Sequence, residues 1–165
     1  MRRGMATLGL IFLVSPVLAR GQGVSVVHFR DATRGFTQYS GIADSMRLVI
    51  RDAGAWRSYW SAIHRPFIPA PPVPDVDFTR EMIVLAAMGT RPTGGFAIRI
   101  ENARADSARI LLLVRRTVPG TGCAVPASVT QPVDLARIPT TALPISFAER
   151  VDRTDCSTPQ ALHRR

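Results

Sequence analysis

The run Met82-Ile-Val-Leu-Ala-Ala-Met88 is apolar at every position, so whatever it forms must be covered on both faces. That is the pattern of a central β-strand with a packed layer on each side. It ends on a Gly-rich loop, Gly89-Thr90-Arg91-Pro92-Thr93-Gly94-Gly95-Phe96, and alternation resumes at Phe96, Ile98 and Ile100. A second Gly-rich turn, Pro119-Gly120-Thr121-Gly122-Cys123, follows another apolar run, Ile110 to Val114. Two such loops between apolar strands imply a rigid sheet presenting a shaped surface, with no catalytic centre in either loop.

The flanking segments are read by periodicity. Val24 to Phe29 is a short strand, and Gly35 to Ile42 an extended piece with Phe36 and Tyr39 expected to be buried. Met46, Leu48 and Ile50 alternate with Arg47, Val49 and Arg51 as in a half-buried strand. Trp56, Tyr59, Trp60 and Ile63 then fall at i, i+3, i+4 and i+7, one face of a helix. Asp52 is its N-cap, His64 suits its C-terminus, and Pro66 stops it. The aromatic stripe is read as packing on a sheet in preference to a ligand platform. Five prolines from Pro66 to Pro74 make a stiff crossover, expected to bury Phe67, Ile68 and Val73. Ala105-Asp106-Ser107 is a turn, and Ile110 to Val114 forms a hairpin with the strand before it. Pro132 to Ile138 and Ile145 to Val151 add two strands. The expected architecture is mainly β: an antiparallel β-sandwich or partly open barrel of about seven strands with one covering α-helix.

The chain is 165 residues long. Arg2-Arg3, the apolar stretch Met5 to Leu18 and Val17-Leu18-Ala19 read as an export signal over 1–19, so membrane contact is expected only through that transient segment. A single β-domain is expected over 24–156, with a flexible tail over 157–165. The protein is expected in the periplasm or outside the cell. All 21 basic residues are Arg against 12 acidic ones; removing 1–19 takes away two of them and leaves +7. These arginines are scattered, which favours genome composition over a nucleic-acid or anionic-lipid surface. Cys123 and Cys156 permit a disulfide in an oxidising compartment. Closing a loop of this size stabilises by roughly 3–4 kcal/mol in the chain-entropy model.

Signals for chemistry are sparse. His28, His64 and His163 are far apart and lack metal-ligand spacing, and no Ser sits in GxSxG. Asp75 and Asp77 flank Val76 and read as a solvated strand start in preference to a cation site. The 89–95 loop lacks the Lys and Ser/Thr of a phosphate loop and leads into a strand. It can still form a small anion nest beside Arg91. No cofactor and no metal are expected.

The ordered set Gly89 to Ile100, Val118-Pro-Gly-Thr-Gly-Cys123 and Thr130-Gln131-Pro132 resembles the C-terminal domain of the protease complex subunit PrcB family. Trp56-x-x-x-Trp60 and Val76-Asp77-Phe78 fit the same pattern, and the resemblance covers roughly 40–156. Ala124-Val-Pro-Ala-Ser128 departs from the polar residues usual after the cysteine turn. The resemblance implies a non-catalytic subunit that stabilises a secreted protease complex. A looser similarity links Arg91-Pro92-Thr93-Gly94-Gly95-Phe96 to the cleft-plugging loop of chagasin-like cysteine-protease inhibitors, although the Asn and second Thr of that loop are missing.

The leading expectation is an exported, non-enzymatic domain that binds a protein partner, such as a protease. Its expected contact residues are Thr90, Arg91, Pro92, Thr93, Gly94, Gly95, Phe96, Gly120, Thr121 and Gly122. The alternatives are a cysteine-protease inhibitor, and a hydrolase built from His64 with Cys123 or a carboxylate.

Overall fold

Among the described residues, eight strands and one helix follow in order. They are β1 (Gln22–Val24), β2 (Val27–His28), β3 (Ser45–Ile50), α1 (Ala53–Ile63), β4 (Glu81–Met88), β5 (Ala97–Ala105), β6 (Ile110–Pro119), β7 (Val133–Pro139) and β8 (Ile145–Thr154). The computed structural model describes residues 21–29 and 37–156. The expected export segment, the tail, Phe36 and His163 lie outside them.

The apolar run is a central strand. Met82 to Ala87 are completely buried. One face of β4, with Met82, Val84, Ala86 and Met88, packs against Ile98, Ile100, Leu112 and Val114 of a second sheet. The other, with Ile83, Leu85 and Ala87, packs beneath Trp56, Trp60 and Ile63 of α1. The layers are therefore helix, sheet, sheet. The sheet orders are β2-β7-β4-β3 and β1-β5-β6-β8, and the sandwich does not close into a barrel.

Helix α1 forms as its caps dictate. Asp52 accepts a hydrogen bond from the Ala55 N–H at 2.8 Å. The tryptophan indoles donate to the proline segment, Trp56 to the Pro74 carbonyl (2.9 Å) and Trp60 to the Pro71 carbonyl (3.0 Å). These bonds hold the crossover in place. Its expected apolar anchors are only partly used: Phe67 packs beside α1, but Ile68 is 97 % exposed and Val73 is exposed.

Several expectations are corrected. The first expected strand is two: β1 pairs with β5 and β2 with β7, so the chain changes sheet at Ser25-Val26. Tyr39 is exposed, although its segment is hydrogen-bonded to Gln131 and to Val133 at the start of β7. The pairing of β6 with β8 is parallel, and the other five pairings are antiparallel. The chain leaves β6 for β7 in the opposite sheet before returning, so β8 arrives beside β6 in the same direction.

One buried carboxylate ties the sheets together. Asp134 of β7 points between the layers and accepts from the Ile100 N–H of β5 (2.7 Å), where a bulge interrupts the β5–β6 ladder. His28 of β2 lies 3.2 Å from its other oxygen. On the β8 side, Glu149 meets Arg47 of β3 at 2.5 Å and Arg116 of β6 at 3.5 Å. Burial pushes the Arg47 pKa down, and Glu149 partly offsets that shift.

Replacing Asp134 with Ala strands the Ile100 N–H and is expected to lower stability by about 2 kcal/mol, with a smaller loss for His28→Ala. Urea denaturation reads both, and an unchanged D134A midpoint would remove the tie from the account. In the β5–β6 turn, Asp106 accepts from the Ala108 and Arg109 N–H groups (2.8 and 2.9 Å). Those bonds hold its pKa below the ordinary 3.8. Because the folded value is depressed, the turn's stabilisation is complete above pH 3.8 and is lost as pH falls through the folded value. An NMR titration of this carboxyl is expected to give a midpoint under 3.8, and to lose that depression when Ala108 and Arg109 amides exchange freely.

Candidate functional site at the loop end

The two Gly-rich loops meet at one end of the sandwich. Arg91 and Thr130 exchange backbone hydrogen bonds at 2.8 and 3.0 Å. The buried Thr130 hydroxyl donates to the Thr93 carbonyl at 2.9 Å. The Gly94 N–H donates to the Pro126 carbonyl at 2.9 Å. Gly95 has φ +84°, and a Cβ there would stand 2.8 Å from Val125 Cγ1 and 3.3 Å from Pro119 Cβ. A side chain is excluded by both conformation and space. Gly89 is in the same position at the loop entrance: φ is +73°, and a Cβ would press on the backbone of Ala43 to Ser45.

These contacts sort the ten expected contact residues. Gly94 is buried, and Arg91, Thr93, Phe96 and Gly120 are half-buried. Arg91 donates to the Met88 carbonyl and stands 5.9 Å from the Phe96 ring centroid. Phe96 packs against the inter-sheet core. Gly120 lets the turn lie against the Thr154 carbonyl, where a Cβ would come within 2.2 Å. Thr90, Pro92, Gly95, Thr121 and Gly122 are exposed.

The sequence reading missed the other exposed residues of this end. Ala124, Pro126 and Ala127 are exposed, Val129 is 61 % exposed and Tyr39 47 % exposed. Their signal was the apolar Ala124 to Ala127 stretch, which a loop with nothing to contact would not need. Cys123 and Cys156 form a disulfide with Cα atoms 5.1 Å apart, fastening this end to the segment just after β8. The result is a stiff, mostly apolar rim carrying prolines, a valine and one tyrosine ring.

The groups considered for chemistry do not gather at this end. His64 is buried at the end of α1, its ring 4.0 Å from Trp60 and its Nδ1 2.9 Å from the Trp60 carbonyl. It takes the helix-end position expected of it, as the C-cap residue, and packs there as a buried ring. Cys123 is committed to its disulfide, so the hydrolase arrangement of His64 with Cys123 is not formed. Asp77 closes a turn, accepting from the Thr79 N–H and hydroxyl (3.0 and 2.6 Å), which lowers its pKa. Among the described residues no three His, Cys, Asp or Glu side chains group to hold a metal ion. No helix among them is long and apolar enough to cross a membrane.

Thr130→Val keeps the shape and removes the clamp on Thr93. It is expected to cost about 1 kcal/mol and to raise amide exchange at Gly94. Gly95→Ala is expected to cost about 1–3 kcal/mol through strain. Thermal melts and hydrogen exchange check both, and a Gly94 amide equally protected in T130V would dismiss the clamp.

No curated protein and no solved structure matches the chain. A family model does match residues 82–139, and it is described as PrcB C-terminal. The matched segment carries β4, β5, β6 and β7, save Glu81, and these are the two inner strands of each sheet. The motif residues that lock the loops, from Gly89 through Thr130, also lie within it. Over this inner half of the sandwich the chain is similar to the PrcB C-terminal family.

Proposed function

We propose that this protein is an exported, non-catalytic domain that binds a protein partner through the loop end, as an accessory to a protease or envelope complex. The observation that carries the reading is the locking of the 89–96 loop against the segment that follows the second Gly-rich turn, through Pro126 and Thr130. Thr130, Gly94 and Gly95 spend their polar and steric features on holding the loop against that segment. What remains for a partner is a preorganised apolar rim, a surface that loses little conformational entropy on binding. The PrcB C-terminal match supports an accessory role. The disulfide is compatible with an oxidising compartment.

The rim chemistry suits an apolar or proline-rich patch on a folded partner. Pro92, Pro126, Ala127 and Val129 offer rigid apolar area, and Tyr39 adds a ring with a hydrogen-bonding tip. A loop that plugs a protease cleft must project from its scaffold. Here Gly94 is buried under Pro126, which disfavours the inhibitor reading.

The experiment is affinity capture from the native envelope with wild type, Val129→Arg and Pro92→Glu, each verified as folded by circular dichroism. Wild type is expected to retain a larger exported protein, and each variant to lose most of it. Recovery of the same partner by both variants would rule out the rim as its binding surface. Inhibition of papain by wild type, abolished by Thr93→Ala, would transfer the site to the inhibitor class.

A further inference from the structure

We propose that β8 is a docking edge for a second copy of this chain, paired antiparallel about a two-fold axis at Val151. β8 is the outermost strand of its sheet and runs ten residues. Among the described residues no strand pairs with its outer edge. An edge of that length presents a row of open N–H and C=O groups, which pair readily with another strand.

The charge order along the strand identifies the occupant. Ile145 and Phe147 pack between the sheets, so alternation puts Glu149, Val151 and Arg153 on that face. Arg150 and Asp152 stand on the other face. Centred on Val151, the segment Glu149-Arg150-Val151-Asp152-Arg153 is antisymmetric in charge. An antiparallel copy about that centre sets Arg150 opposite Asp152 of the second copy and Glu149 opposite Arg153 of the second copy. Every charge then meets its complement on its own face, and Val151 meets itself. Opposite-charge pairs directly across strands stabilise, and like charges there repel. A slip of one residue puts the two faces out of step, so this register is specific.

The unsatisfied groups agree with the pairing. Val151 is 57 % exposed at the axis. Among the described residues Arg153 makes no ion pair, whereas Arg150 meets Glu101 and Asp152 (3.3 and 3.4 Å) within the chain. Glu149 already meets Arg47 and Arg116. The second copy would supply Arg153 with its counter-charge and join the two outer sheets into one of eight strands. An isologous contact of this kind closes at two copies.

The test uses the purified, disulfide-intact protein. Sedimentation analysis over a concentration series is expected to give a monomer–dimer equilibrium. Arg153→Glu puts like charges together at two symmetric positions and is expected to weaken association about tenfold, with the circular dichroism spectrum unchanged. Val151→Cys is expected to yield a disulfide-linked dimer under mild oxidation. Ala148→Cys is not, because its two copies stand about 20 Å apart in this register. A protein that stays monomeric to about millimolar concentration, below the weakest useful affinity, overturns the proposal. So does an R153E variant that associates as tightly as wild type, or cross-linking by A148C as efficient as by V151C.

Discussion

Burial of β4 on both faces is the constraint from which the architecture follows. A strand without one polar side chain from Met82 to Met88 cannot border water, so it needs a layer on either side. One layer is the second sheet, through Ile98, Ile100, Leu112 and Val114; the other is the aromatic face of α1. Removing either would expose about half of the most apolar segment in the chain, and at roughly 25 cal/mol per Å² no surface ion pair offsets that.

The loop end inherits its stiffness from this arrangement. β4 and β7 are neighbours in one sheet and β5 and β6 in the other, so the connections leaving β4 and entering β7 emerge side by side. Arg91 and Thr130 continue the pairing beyond the strands, and the glycines allow the backbone to close without a Cβ in the way. The PrcB C-terminal match covers this inner unit, while the four outer strands come from the flanking sequence. The inner unit supplies the rim proposed for a partner, and an outer strand supplies the edge proposed for a second copy.

Much of this was legible in the residues. The helix with its Asp52 cap, the strands at β3 to β8 and the Cys123–Cys156 bridge follow from periodicity, capping chemistry and cysteine number. The errors of burial share one cause. Tyr39, Ile68 and Val73 were expected to be buried because they are apolar, yet all three are exposed. Apolar character predicts burial only where a layer exists to cover it, and these residues sit in connections that the layers do not reach. The same gap hid Val129 and Pro126 from the candidate site.

The sequence by itself determined the local grammar: which runs are strands, where the helix begins and where chain reversal requires glycine. Those properties depend on neighbours within a few residues and on side-chain chemistry alone. Only the tertiary structure decided that the first strand divides between two sheets, that β8 returns parallel to β6, and that Asp134 reaches Ile100 across the core. These are contacts between residues up to scores of positions apart. Their free energy depends on which faces meet once the chain has crossed between layers, and no local pattern encodes that choice.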